Sequence, residues 1–159
     1  MRLKILAIGR LKAGPERTLY DRYAERIDAA GKGVGLTLAL RELPESRAGS
    51  AAQRIAEETT ALFAELDEGP LVVLDGAGKS LTSVAFADRL GRWRDEAARD
   101  AAFVIGGPDG LSRGLLDRAD LVLAFGAMTW PHQLARIMLA EQLYRAVTIL
   151  AGHPYHRGH

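Results

Sequence analysis

Cysteine is absent from this sequence, which rules out disulfides, thiolate metal sites and a cysteine nucleophile. A reducing cytoplasm suits such a chain, and redox chemistry does not. Long apolar runs are missing too: nothing approaches the roughly 20 consecutive residues that a membrane span needs. The opening Met1–Gly9 interleaves Arg2 and Lys4 with too few apolar residues for a secretion signal. An excess of one charge is also lacking. With 21 Lys and Arg against 20 Asp and Glu, the formal net charge is +1, so no global attraction to nucleic acid or a membrane surface follows. Repeats, low-complexity segments and linkers are not found. The expectation is a cytoplasmic protein with no membrane association, folded as a single domain over residues 1–159.

What is present is a regular alternation. Leu3–Ile8 reads as a buried strand ended by Gly9, and residues 16–30 as a helix with Tyr20, Tyr23, Ala24 and Ile27 on one stripe. Val34–Leu40 gives a second strand. A polar turn over 44–50 leads into a helix whose apolar face is Ala52, Ile55, Thr59, Leu62 and Leu66. Leu71–Leu74, a helix over 83–97 and the strand 102–105 follow. Ser112 is positioned to cap a short helix ending near Ala119, before a strand over 121–125. The last helix, about 132–150, is apolar nearly all round, which requires burial on more than one side, either within the domain or against a second copy. Such alternation predicts an α/β fold, a mostly parallel sheet flanked by helices. Ligands in such sheets collect beyond the carboxyl ends of the strands. Here those ends are three glycine-bearing loops, 74–80, 106–110 and 126–131.

The first loop contains Gly78-Lys79-Ser80, an ending shared with phosphate-binding loops. The pattern needs a glycine four residues before Gly78, and that place is Val73, so a nucleotide triphosphatase is a poor fit. The second loop packs three glycines into five residues, which lets backbone approach a ligand closely or simply makes a tight turn. The third, Gly126-Ala127-Met128-Thr129-Trp130-Pro131, joins small, apolar and hydroxyl side chains in a wall suited to a neutral heterocycle rather than a phosphate.

Residues 1–33 carry eight Lys or Arg against four Asp or Glu, and all four histidines lie between His132 and His159, which marks the two ends as the contact surfaces. In the tail, His153, His156 and His159 recur every third residue. Pro154 and Gly158 interrupt any helical ligand array and no carboxylate is at hand, so no metal is expected. Tyr155 and His156 can instead stack on an unpaired base while Arg157 meets phosphate. Glu141 and Arg145 are spaced as a helical ion pair, Arg136 could reach the loop edge, and His132 starts the last helix at the rim of the expected site.

At Ile105-Gly106-Gly107-Pro108-Asp109-Gly110-Leu111-Ser112, Met128-Thr129-Trp130-Pro131-His132, Ala140-Glu141-Gln142-Leu143-Tyr144-Arg145-Ala146 and His153-Pro154-Tyr155-His156-Arg157, the sequence resembles the RlmH family. These are bacterial methyltransferases acting on N3 of a pseudouridine in 23S ribosomal RNA. Four linked motifs in order make the likeness specific. It implies a SPOUT methyltransferase fold with a C-terminal trefoil knot, a homodimer, and S-adenosylmethionine bound in the knot. Periodicity alone would have given an unknotted sheet. By motif correspondence the donor contacts fall on Leu74, Gly107 and the run Gly126, Ala127, Met128, Thr129, Trp130 and Pro131.

Methyl transfer from a sulfonium is an in-line displacement that needs no metal, but the acceptor nitrogen carries a proton that must leave. Candidate helpers are His132, Glu141 and His156, with Arg136 available to stabilise a developing base anion. The near-neutral charge favours a shaped target, an assembled ribosome, over a bare strand. Two rivals of other classes are a non-catalytic RNA-binding module, which needs no donor pocket, and a nucleotide hydrolase dependent on Lys79.

Overall fold

The computed structural model describes residues 1–156. The strands are β1 (Arg2–Ile8), β2 (Thr37–Leu43), β3 (Leu71–Lys79), β4 (Asp100–Ile105) and β5 (Leu121–Leu123). The helices are α1 (Pro15–Gly31), α2 (Ala51–Ala64), α3 (Ser83–Asp95), α4 (Arg113–Arg118) and α5 (His132–Leu150). All five strands pair in parallel in the order β2-β1-β4-β3-β5.

The period-2 geometry of β1 sends Leu3, Ile5 and Ala7 to one face and Leu6 and Ile8 to the other, and both sets are buried. One face is covered by α1, α3 and α5, with Phe86, Leu90, Phe103, Leu139 and Leu143 in its core. The other is covered by α2 and α4, with Leu62, Val73, Val104 and Leu115. Helix starts are fixed by hydroxyl caps: Ser50 accepts from the Gln53 amide, Thr82 from Ala85 and, as expected, Ser112 from Leu115. Among the described residues, no helix is long and apolar enough to cross a membrane.

The largest departures from the sequence expectation are in the second and third strands, and β5 stops at Leu123 rather than at 125. The second strand begins at Thr37 rather than Val34, because Lys32–Val34 continues α1 as a single 3-10 turn and Gly35 (φ 70°) then reverses the chain. The third strand does not end at Leu74. It runs on to Lys79 across a register shift, pairing Lys79 with Leu123. A Cβ on Gly78 would lie 2.7 Å from the Val122 backbone, so this glycine serves strand packing and Gly78-Lys79-Ser80 is no phosphate loop.

Helix α5 lies against both α1 and α3, so its apolar circumference is largely consumed within the chain. Its one fully buried charge is Arg136, with no exposed surface. The guanidinium donates to Glu42 Oε1 at 2.6 Å, to the Gly9 carbonyl at 3.0 Å and to the Ile8 carbonyl at 3.3 Å. Arg17 closes the network from α1, reaching both Glu42 oxygens at 2.8 Å and the Leu11 carbonyl. Arg136 is therefore not the free cation at the loop edge that the sequence suggested; the pull of a carboxylate and two strand-end carbonyls has drawn it inward. Burial alone would push the Glu42 pKa up, but the Leu11 amide, Arg17 and Arg136 outweigh it and hold the carboxyl below its ordinary value.

The pH consequence has a definite sign. A depressed folded-state pKa gives stability that is present above the unfolded value of 4.5 and lost as pH falls through the folded one. Glu42→Gln should cost about 3–5 kcal/mol at neutral pH, because Arg136 is left buried without its counter-charge. Denaturant melts at pH 7 and below pH 4 should show the parent and the variant converging in acid.

Candidate functional site

The carboxyl ends of β4 and β5 and the irregular middle of β3 open onto one cavity. Its walls come from Leu74–Gly76, from Ile105–Gly107 with Gly110 and Leu111, and from Leu123–Gly126 with Met128–Trp130. The first turn of α5 completes it with His132 and Ala135. The three segments singled out by sequence thus converge, although the first is the irregular part of β3 rather than a loop. Of the expected donor contacts, Leu74, Gly107, Gly126, Met128, Thr129 and Trp130 line the cavity, whereas Ala127 and Pro131 do not. Met128 and Trp130 are exposed at its rim, and the Trp130 indole is held by a hydrogen bond from Nε1 to the Phe125 carbonyl at 3.1 Å.

The loop after β4 is built to present backbone. A Cβ on Gly107 would stand 3.0 Å from Ile8 Cγ2 and 3.1 Å from Glu58 Oε2, so only glycine fits without displacing a neighbour. The Gly110 amide donates to the Gly107 carbonyl at 3.1 Å, closing the turn. From behind, Arg54 of α2 grips Asp109 in a fork, Nε to Oδ2 at 2.6 Å and Nη2 to Oδ1 at 2.9 Å. That hydrogen-bonded pairing holds the Asp109 carboxyl below its usual range. Neither residue had been picked out as functional from the sequence. Fifty-five positions separate them, and no periodic signal links residues so far apart.

The chemistry of the wall is selective. Among the described residues, no Lys or Arg lines the cavity; its ionisable side chains are Asp75 and His132. Asp75 accepts from the Ala77 amide through Oδ1 at 2.8 Å, which fixes the carboxylate at the mouth of the β3 loop. Apolar Ile105, Leu111 and Leu123 with exposed loop backbone suit a flat heterocycle, and a lone carboxylate suits a cation or a sugar diol. The residues present therefore fit a cationic nucleoside such as S-adenosylmethionine and do not fit a phosphate.

The remaining candidates form a separate cluster. The tail folds back on α5, where Glu141 accepts from Arg145 Nη2 at 2.6 Å and from the Tyr155 hydroxyl at 3.1 Å. His156 Nδ1 lies 3.4 Å from Arg145 Nη1. Tyr155 packs on Tyr144 with ring centroids 4.6 Å apart, and the Arg145 guanidinium sits 5.0 Å from the centre of its ring. Burial and the adjoining Glu141 carboxylate push the Tyr155 hydroxyl up to about 12. None of these side chains lines the cavity, so one chain brings His132 to it but not Glu141 or His156. Arg157 lies outside the described residues. Among the described residues, no group of acids and histidines could hold a metal ion.

Comparison with known proteins agrees with this geometry. Residues 1–156 match the family model described as a predicted SPOUT methyltransferase. The chain is 59% identical over 160 residues to the ribosomal RNA large subunit methyltransferase H of Nitrobacter winogradskyi, covering 99% of this chain and 100% of that one. It is 58% identical over 159 residues to the protein of the same name from Bradyrhizobium diazoefficiens, covering 99% of each. Among solved structures, a probable methylase family protein from Haemophilus influenzae superposes with a TM-score of 0.50 at 15% identity, covering 99% of this chain and 70% of that one, a likeness of fold.

Releasing the clamp should loosen this loop and the turn at Ala48, which Arg54 also holds, without touching the sheet. Arg54→Ala is expected to raise hydrogen-exchange rates of the amides over 107–111 about tenfold, leaving those of β1 and β4 unchanged. Exchange mass spectrometry on the two proteins measures this directly.

Proposed function

The chain belongs to the SPOUT methyltransferase family and, within it, to the ribosomal RNA large subunit methyltransferase H group, and from that premise we propose that it methylates N3 of a pseudouridine in 23S ribosomal RNA with S-adenosylmethionine as donor. The observation that carries this reading is the meeting of the irregular part of β3 and the loops after β4 and β5 in one cavity whose wall offers glycine backbone, apolar side chains and a single carboxylate. Leu74, Gly107, Gly126, Met128, Thr129 and Trp130 hold the donor, with Ala127 and Pro131 shaping the loop that carries the last four, and Asp75 meets its cationic or hydroxyl groups. When bound, the donor supplies a methyl group on a sulfonium, poised for attack by a nitrogen.

The protein's share of the work is alignment and proton handling. The clamped loop over 106–110 fixes one wall, and the Trp130 ring, tied to Phe125, covers the rim against water. His132, on the first turn of α5, is the one histidine on the cavity wall among the described residues and is placed to take the imide proton, directly or through water. Arg136 works from behind by holding that turn of α5 against β1. Glu141, Arg145 and His156 complete the site when a second copy of the chain brings its tail to the cavity, which makes the working form a homodimer. In that arrangement Tyr155 anchors the tail on Tyr144 while His156 and Arg157 reach the RNA. The C-terminal trefoil knot, the single domain over 1–159, a cytoplasmic location and an assembled ribosome as substrate belong to the same reading.

Two measurements test it. Calorimetry should detect binding of S-adenosylmethionine, and nucleotide mapping of ribosomal RNA from cells with and without this protein should differ at one methylated pseudouridine; absence of both would overturn the assignment. Deleting residues 153–159 should abolish methylation while leaving donor affinity within about twofold, since the cavity wall lacks the tail. Unchanged turnover would refute the tail's role.

A further inference from the structure

Two turns on the carboxyl edge of the sheet share one construction. After β1, the Gly9 amide donates to the Leu43 carbonyl at 2.8 Å and its carbonyl accepts from buried Arg136 at 3.0 Å. Leu11, two residues on, is buried, and its amide donates to Glu42 while its carbonyl accepts from Arg17, both at 2.8 Å. Arg10 stands between these anchors and Lys12 just beyond them, both exposed. After β2, the Ser46 amide donates to buried Glu58 at 2.9 Å and the Ala48 carbonyl accepts from Arg54 at 3.0 Å. Arg47 stands exposed between them.

Backbone this firmly held is not needed to keep an arginine in water. None of the three cations makes an ion pair or side-chain hydrogen bond among the described residues, although charged groups pair nearby. Among the neighbouring acids, Glu42 is paired with Arg17 and Arg136 and Asp109 with Arg54, whereas Glu16 on the first turn of α1 and Glu45, Glu57 and Glu58 around the second turn have no ion-pair partner among the described residues. Strands β1 and β2 are adjacent, with Ile8 opposite Leu43, so the two turns lie side by side. Both are fastened to the ligand cavity. Ile8 abuts Gly107, and Arg54 holds Ala48 with one nitrogen and Asp109 with two others.

Fixed, unpaired cations beside a catalytic cavity lower the ordering cost of gripping an anionic polymer. We propose that Arg10, Lys12 and Arg47 form a phosphate-contacting rim that seats the backbone of the substrate RNA next to the cavity. The inference rests on the reading of ribosomal RNA as substrate and adds the surface that receives it. It also gives a chain of net charge +1 a fixed group of cations with which to meet a polyanion.

The test compares two double variants with the same charge change, Arg10→Glu/Arg47→Glu on the rim and Lys32→Glu/Arg99→Glu on the opposite edge, where both residues are exposed. Methyl transfer from S-adenosylmethionine to purified ribosomal particles is followed over a salt series, with donor affinity and melting temperature measured alongside. The rim pair should raise KM for the particles roughly tenfold or more, leave kcat and donor affinity unchanged, and flatten the log–log salt dependence by about 1.5. The opposite pair should move KM less than about twofold. Equal effects from both pairs, no effect from the rim pair, or a fall in kcat at constant KM would each overturn the proposal. Should the rim pair melt early, Arg10→Ala/Arg47→Ala replaces it, with the same direction expected. Failure of the unaltered protein to methylate the particles would instead overturn the substrate reading, and the rim with it.

Discussion

A single buried guanidinium fixes the geometry on which the rest of this molecule depends. Arg136 has no exposed surface, yet it bonds Glu42 and the last carbonyls of β1, tying the start of α5 to two strands more than ninety residues away. A buried ion pair of this kind is weak as a source of stability, since well-packed apolar side chains could replace it. Its contribution is register. The helical turn that carries Arg136 also carries His132 and Ala135 to the cavity, and the strand end it grips carries the turn with Arg10.

Charge is distributed by task. The cavity wall holds Asp75 and His132 and no basic side chain among the described residues, while the charges that shape it stand behind it, in Arg54 with Asp109 and in Glu58 beneath Gly107. The tail keeps its own cluster around Glu141 and Arg145. A donor that carries its own positive charge meets little competition at such a wall, and under the proposed function the anionic acceptor is met elsewhere, on the rim and the tail.

The alternation of strands and helices was legible because each strand is an apolar run closed by glycine, aspartate or a polar turn, and because the Ser112 cap announces α4. The cavity was legible for a related reason: in a parallel sheet, glycine-bearing loops at strand ends have few other purposes. Boundaries failed where local turns overrode pattern, at Lys32–Val34 and across the irregular end of β3. The roles of Arg136 and Arg54 were illegible because their partners are distant in sequence, and an arginine reads as solvent-facing until the carboxylate that buries it is known. The knot that the family resemblance implies is of the same kind, a property of threading that no window of residues records.

The strand order has a consequence for how the chain reaches this state. β4 lies between β1 and β3, and α5 packs between α1 and α3, so neither half of the sheet can close its hydrophobic faces with neighbours in sequence alone. Synthesis therefore releases β1, β2 and their helices well before the segments that bury them emerge. Completion waits until residue 150 has cleared the exit tunnel, so the last step of folding is the closing of long loops.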